Sequence, residues 1–215
     1  MVKKFSMITN LIYKYSLYKK VEVTRTHTFP ARMIHWTFIL LYIYGIIKQL
    51  DDISELENSE LLIFEVIFAS IFLIIVILRY SYMRRFETFL GAREPIPSAH
   101  KYIAKTIHIG MYLCLIILPL SGLLIAALFT QGITDGAVQD LVIEIHGFSA
   151  DLSYVLIAIH IVAALYSRIK GEGVWTSMVP ILKEHKSVTN KKIIKVKNLE
   201  NKFFEKVEDF FSTPK

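Results

Sequence analysis

The stretch EIHGFSADLSYVLIAIHIV, from Glu144 to Val162, places two histidines in a segment that is otherwise apolar. An α-helix turns by about 100° per residue, so the step of 14 residues from His146 to His160 turns by roughly 1400°, about 40° short of four turns. Both imidazoles therefore leave one face of the helix, separated by about 21 Å along its axis. The stretch predicts a helix with one histidine near each edge of a bilayer.

The composition is that of an integral membrane protein, because 53% of the 215 residues are hydrophobic. Four apolar blocks approach the roughly 20 residues that cross about 30 Å of hydrocarbon: residues 30–47, 61–78, 107–129 and 141–167. A backbone in lipid must satisfy its hydrogen bonds within its own segment, which a helix does. We therefore predict an all-α integral membrane protein, a four-transmembrane-helix bundle.

The bundle is predicted to occupy residues 30–180, with helices at about 30–48, 61–79, 106–129 and 140–168. An N-terminal segment, residues 1–29, precedes it, and a basic tail, residues 181–215, follows it. Lysines interrupt the N-terminal segment, and no small-residue cleavage site precedes the first block. That block is therefore predicted to be a retained helix and not a cleavable signal.

The tail carries an amphipathic pattern within NLENKFFEKVEDFF. Its apolar residues Leu199, Phe203, Val207 and Phe210 recur at steps of four, four and three, which predicts a helix with one apolar face. Two interpretations stay open: a surface helix without a specific partner, and a helix that docks another subunit.

The net charge of +6 is distributed unevenly along the chain. Basic residues crowd the segment before Ile34, the connection 79–105 and everything from Arg168 onward. The connection 51–60 has five acidic residues and the connection 130–140 has two, and neither contains lysine or arginine. By the positive-inside rule, both termini and the connection 79–105 are predicted to be cytoplasmic. The basic charge thus follows membrane topology and does not indicate nucleic acid binding.

Two histidines lie at comparable depth on the predicted cytoplasmic side. His35 is about five residues inside the first helix, and His160 is about eight residues from the end of the fourth. The two helices can each offer one imidazole to a single ligand, trans to one another. This is the arrangement of bis-histidine haem ligation, which leaves no open iron position and suits electron transfer.

Other histidines on this side are predicted to play lesser parts. His108, in the first turn of the third helix, is predicted to support the site by binding a haem propionate, capping the helix or contacting a quinone headgroup. His27, His100 and His185 lie in the flanks and are predicted to be solvated.

On the outer side His146 has no histidine opposite it, because the second block contains none. The residue of comparable depth in that block is Glu65, an unusual carboxylate inside a membrane segment. Glu144 lies near the outer end of the fourth helix. Either carboxylate is a candidate to pair with His146 through a hydrogen bond or proton transfer.

Three motifs resemble the bacterial cytochrome b561 family, which is related to the cytochrome b subunits of nickel-iron hydrogenases. They are ARMIHW in the first helix, HIGMYLCLIILPLSG in the third, and HGFSADLSYVLIAIHIVAALYSRIKGEGVWTSMVP through and beyond the fourth. The resemblance covers about residues 30–180. Its most specific part is the pair of histidines followed by AALYSR and the W..MVP ending.

The resemblance implies two haem b groups, with ligands from the first, second and fourth helices. His35 and His160 would hold the inner haem iron, and His146 would be one ligand of the outer haem iron. Counted back from Arg79, the family's histidine in the second helix falls on Glu65, and a carboxylate is a poorer axial ligand than imidazole. Three outcomes are open: loss of the outer haem, binding by His146 with a weak or absent sixth ligand, or coordination by Glu65.

The resemblance also implies a function, electron transfer in the bacterial inner membrane between the quinone pool and a redox partner or small oxidant. One alternative is a membrane-anchor subunit of a hydrogenase or dehydrogenase complex, and another is an oxidoreductase that passes electrons from superoxide to quinone. The acidic connection 51–60 is a poor attractor for anionic superoxide, which disfavours the latter. A non-redox transporter or scaffold is an alternative of another class, although four helices without a visible repeat are few for a transporter.

Overall fold

The computed structural model describes residues 26–50, 52–93, 96–184 and 190–212. Within these ranges the chain is helical and contains no strand. Four long helices are each long and apolar enough to cross a membrane. In chain order the helices are α1 (Phe29–Ile47), α2 (Ser59–Met83), α3 (Ser98–Thr130), α4 (Ala137–Ile169), the short α5 (Val174–Met178) and α6 (Lys191–Ser212), with a 3-10 turn at Ile53–Glu57 between α1 and α2.

Local sequence explains where the membrane helices begin and end. The Thr28 hydroxyl accepts a hydrogen bond from the Ala31 amide at 3.4 Å, and Pro30 occupies the first turn, where its missing N–H costs nothing. The Asn58 side chain caps α2 in the same way. At the end of the bundle where α1 begins, α4 is ended by Gly171, whose φ of 66° is a left-handed conformation that favours glycine.

The helices pack in sequence order, with α1 on α2, α2 on α3 and α3 on α4. A core of buried side chains fills the space between α1, α2 and α3: Phe38, Tyr42, Phe72, Val76, Met111 and Leu115. Leucine, isoleucine and valine side chains cover the outside of all four helices. A bundle that is apolar outside as well as inside is suited to lipid, so the fold confirms the all-α, four-helix membrane architecture.

One boundary differs visibly from the sequence-based expectation, since α3 begins at Ser98 and not near residue 106. Pro97 takes an extended conformation just before the helix, and the following SAHKYIAK contains no helix breaker. Pro119 lies inside α3, and the helix continues past it to Thr130. The first turns of α3 therefore extend the bundle beyond the apolar block.

Candidate functional site

The candidate site begins with a pair of histidines on adjacent helices. His108 Nε2 of α3 and His160 Nδ1 of α4 share a hydrogen bond of 3.2 Å, with their ring centroids 5.1 Å apart. Because this bond uses the Nδ1 atom of His160, it leaves the Nε2 atom of that ring available to a ligand. A partner on the second ring nitrogen is the usual way in which a metal-binding histidine is oriented.

His35 of α1 also belongs to this group. It interacts electrostatically with Arg79, His108 and His160, and its Nδ1 atom is buried with no hydrogen-bond partner among the described residues. Its neighbour Trp36 donates an indole hydrogen bond to the Met178 carbonyl oxygen at 3.4 Å, which ties this end of α1 to the segment after α4. A buried imidazole nitrogen without a hydrogen-bond partner is a candidate binding atom for a further group.

Arg79 of α2 also belongs to this cluster, although it was not among the predicted site residues. Its guanidinium lies 4.9 Å from the Phe38 ring centroid and 5.6 Å from that of Tyr112, and its Nε atom is buried without a partner. An arginine at the end of an otherwise apolar span was a signal for function, since such residues are costly in lipid. Its free donor offers a positive partner to an anionic group beside the histidines.

The predicted ligand helices α1 and α4 are not packed backbone against backbone. They meet instead through side chains: the hydroxyls of Tyr42 and Ser153 lie 2.6 Å apart, and Gln49 donates to the Tyr154 hydroxyl at 2.8 Å. The imidazoles of His35 and His160 therefore come from two helices that are joined by side chains and not by backbone packing. We define His35, Arg79, His108 and His160 as the inner cluster.

A second polar group surrounds His146 on the other side of the apolar core. The Ser121 hydroxyl of α3 lies 3.0 Å from His146 Nδ1 and 2.8 Å from the Ile117 carbonyl oxygen. A Cβ atom added to Gly122 would lie 3.4 Å from His146 Cε1, so the glycine permits this close approach. His146 is therefore oriented through its Nδ1 atom, as His160 is, and by Ser121 instead of a carboxylate.

The carboxylate of Glu65 interacts electrostatically with His146, but its ion pair is with Lys48, the residue that follows α1. The Lys48 ammonium also lies 4.4 Å from the Phe68 ring centroid. Glu144, the other candidate partner of His146, is exposed. We define Lys48, Glu65, Ser121 and His146 as the outer cluster.

Two flanking histidines are less exposed than the sequence suggested. His27 is buried edge-on against Phe86, and burial together with the nearby Arg32 charge lowers its pKa to about 4. His100 is sandwiched between rings, with its centroid 5.1 Å from that of Phe204. Apolar neighbours from distant sequence positions desolvate both rings, and His185 lies outside the described residues.

The two clusters differ in how well they fit a haem. The inner cluster supplies two imidazoles from helices that do not pack backbone against backbone, one of them already oriented, and an arginine for a propionate, so its residues fit haem b. The outer cluster supplies one oriented imidazole, but the position opposite it holds a carboxylate already paired with a lysine. Its residues do not fit a second bis-histidine haem.

Comparison with known proteins gives one finding for the whole bundle. The family described as prokaryotic cytochrome b561 matches residues 26–180, which is more than half of the chain and contains α1 to α5. No curated protein and no solved structure matches the chain.

Proposed function

The chain belongs to the prokaryotic cytochrome b561 family, and from this premise we propose that it carries electrons through one haem b held between His35 and His160. Membership establishes a multi-pass membrane protein of haem b electron transfer. The observation that supports this pair is the His108–His160 hydrogen bond, which fixes one ring and leaves its Nε2 atom available.

Each residue of the inner cluster has a definite part. His160 and His35 would hold the haem iron through their imidazoles, and a pair of histidine ligands suits electron transfer and not oxygen binding. His108 orients the His160 ring through Nδ1, and Arg79 would neutralise a haem propionate in a region of low dielectric. Phe38 and Met111, one turn beyond His35 and His108, exclude water from the adjoining core. When bound, haem b supplies a one-electron couple.

The chain is proposed to hold one haem, because the outer cluster lacks a second imidazole. A ligand at Glu65 would have to displace Lys48 and leave its ammonium group unpaired within a membrane segment, which is costly. The outer cluster is in this proposal an internal ion pair beside an oriented histidine. Electron transfer then depends on the inner haem alone.

The proposed redox partners are the quinone pool and a second carrier, either a partner subunit or a small oxidant. The apolar surface of the helices gives a lipid-soluble carrier access to the bundle from within the bilayer. The proposed location is the bacterial plasma membrane, with both termini in the cytoplasm, as the charge distribution favours.

Haem spectroscopy on the purified protein tests the proposal. We expect sharp reduced haem b bands after dithionite and close to one haem per chain by pyridine haemochrome. His35→Ala and His160→Ala should each abolish the six-coordinate spectrum, and His100→Ala, outside the inner cluster, should keep it. A normal spectrum in both ligand variants would refute the assignment.

A further inference from the structure

The tail helix α6 is attached to the bundle by a network of buried charges. Glu200 accepts hydrogen bonds from the Lys170 ammonium group at 2.8 and 3.0 Å and from the Tyr166 hydroxyl at 3.1 Å. Lys170 also lies 2.7 Å from Glu172. Burial alone would lower the pKa of Lys170, but its bonds to Glu172 and Glu200 outweigh burial and raise it, so the lysine keeps its charge. The attachment is therefore ionic over the neutral pH range.

An aromatic contact fixes the same face of α6. The Phe204 ring is stacked on His100, with centroids 5.1 Å apart and planes 9° apart. His100 lies in the first turn of α3, and Lys170 directly follows α4. Both attachment points are thus at the edge of the bundle where α3 begins and α4 ends, so α6 lies beside that edge.

The face of α6 next to this attachment is apolar and exposed. Val196, Leu199 and Phe203 are 45%, 58% and 62% exposed. At 100° per residue these three side chains occupy an arc of about 60° that adjoins the direction of Glu200. We call them the apolar strip. A contiguous exposed apolar strip on a membrane protein marks a contact surface.

Most exposed lysines of α6 lie on this strip or to one side of it. Four exposed lysines lie on it or on its far border: Lys192, Lys195, Lys202 and Lys206. Glu205 is exposed on the opposite side of the helix, about 160° from Phe203. Asp209 is also exposed and lies beyond the lysines, about 80° from Leu199. An apolar stripe bordered by lysines is the pattern of a helix that lies in the surface of an anionic membrane.

We propose that α6 lies in the surface of the membrane that its own bundle spans, with the apolar strip in the boundary between headgroups and acyl chains. The lysines bordering the strip contact the phosphates of anionic lipids. The contacts of Glu200 and Phe204 with the bundle keep the helix at the level of the lipid headgroups. The positive border favours this occupant over an apolar protein groove, and the ends of α3 and α4 place the helix beside the bilayer.

Site-directed fluorescence in nanodiscs tests this placement with the full-length, haem-loaded protein. In a Cys114→Ala background, which removes the buried native cysteine, Phe203→Cys and Glu205→Cys are each labelled with an environment-sensitive dye. In discs containing phosphatidylglycerol and spin-labelled lipid, the dye at 203 should be blue-shifted and quenched and the dye at 205 should not. Equal behaviour at both positions would overturn the proposal.

Two further measurements separate the lipid surface from other occupants. Hydrogen exchange of residues 196–207 in the unsubstituted chain should be slower in phosphatidylglycerol discs than in phosphatidylcholine discs, and Lys202→Gln with Lys206→Gln should remove most of that difference. Equal exchange rates in phosphatidylglycerol and phosphatidylcholine discs would show that the strip does not contact an anionic membrane surface, and would overturn the proposal. Exchange that slows only when a soluble protein partner is added assigns the strip to that partner and also overturns the proposal.

Discussion

The hydroxyl groups of Tyr42 and Ser153 lie 2.6 Å apart and join α1 to α4. The contact on α4 is midway between His146 and His160. Ser153 is seven residues from both His146 and His160, so all three share one face of the helix. Both hydroxyls are buried, and the bond crosses the gap between two helices that otherwise make little direct contact. It fixes the spacing of α1 and α4 between the two clusters.

Removing this bond should cost stability and leave the haem in place. Tyr42→Phe keeps the ring against Phe38 and Phe72 and removes only the hydroxyl. A hydrogen bond between membrane helices contributes about 1 kcal/mol, so we expect a loss of that size in the free energy of unfolding, with an unchanged reduced spectrum. Tyr154→Phe, at an exposed bond to Gln49, is the matched control and should cost less. Loss of haem from Tyr42→Phe would show that the bond acts on the site itself.

His108 should act through His160 and not on the iron. His108→Ala removes the partner of His160 Nδ1, and loss of such a partner typically weakens metal binding by about 10- to 100-fold. We therefore expect a six-coordinate spectrum with faster haem transfer to a competing apo-globin and a shifted reduction potential. His108→Gln, which can still hydrogen bond, should restore part of both. Complete loss of the low-spin spectrum in His108→Ala would instead make His108 a ligand.

The fold was predictable from sequence because membrane helices are specified by local composition. Four apolar runs gave four spans, and the common depth of His35 and His160 follows from counting residues from the ends of those spans. The start of α3 at Ser98 was missed because the helix continues beyond hydrocarbon, where hydropathy carries no signal.

The partners within the site were less predictable because they depend on the rotation of each helix relative to its neighbours. Glu65, which lies at the depth of His146, interacts electrostatically with it, but the group within hydrogen-bonding distance of His146 Nδ1 is the Ser121 hydroxyl of α3. Glu65 faces Lys48, a residue that the sequence presents only as the end of the first span. One pattern in the sequence does indicate which face of α4 points into the bundle. Polar residues recur at every seventh position of this helix, at Gln139, His146, Ser153, His160 and Ser167.

The buried His27 should make stability depend on pH in the acidic range. Its pKa is lowered to about 4 in the folded chain, first by burial and then by Arg32, whereas an unfolded histidine titrates near 6.5. Between these values the unfolded chain binds more protons, so stability is present above pH 6.5 and is lost as the pH falls toward 4. From pH 7 to pH 5 we expect the wild type to lose up to about 2 kcal/mol more than His27→Gln in unfolding measurements. Parallel losses in the two proteins would contradict this role of His27.

The ion pair of the outer cluster gives a direct test of the haem count. His146 is already oriented by Ser121, so the missing element is an imidazole at position 65 that is free of Lys48. The double variant Glu65→His, Lys48→Met supplies that imidazole and removes the lysine that would otherwise remain unpaired. We expect its pyridine haemochrome value to rise from about one to about two haems per chain. The control Glu65→Gln, Lys48→Met removes the same charges without adding a ligand, and its value should stay near one. Two haems in the unsubstituted chain would show instead that a carboxylate paired with lysine can give way to a haem at this position.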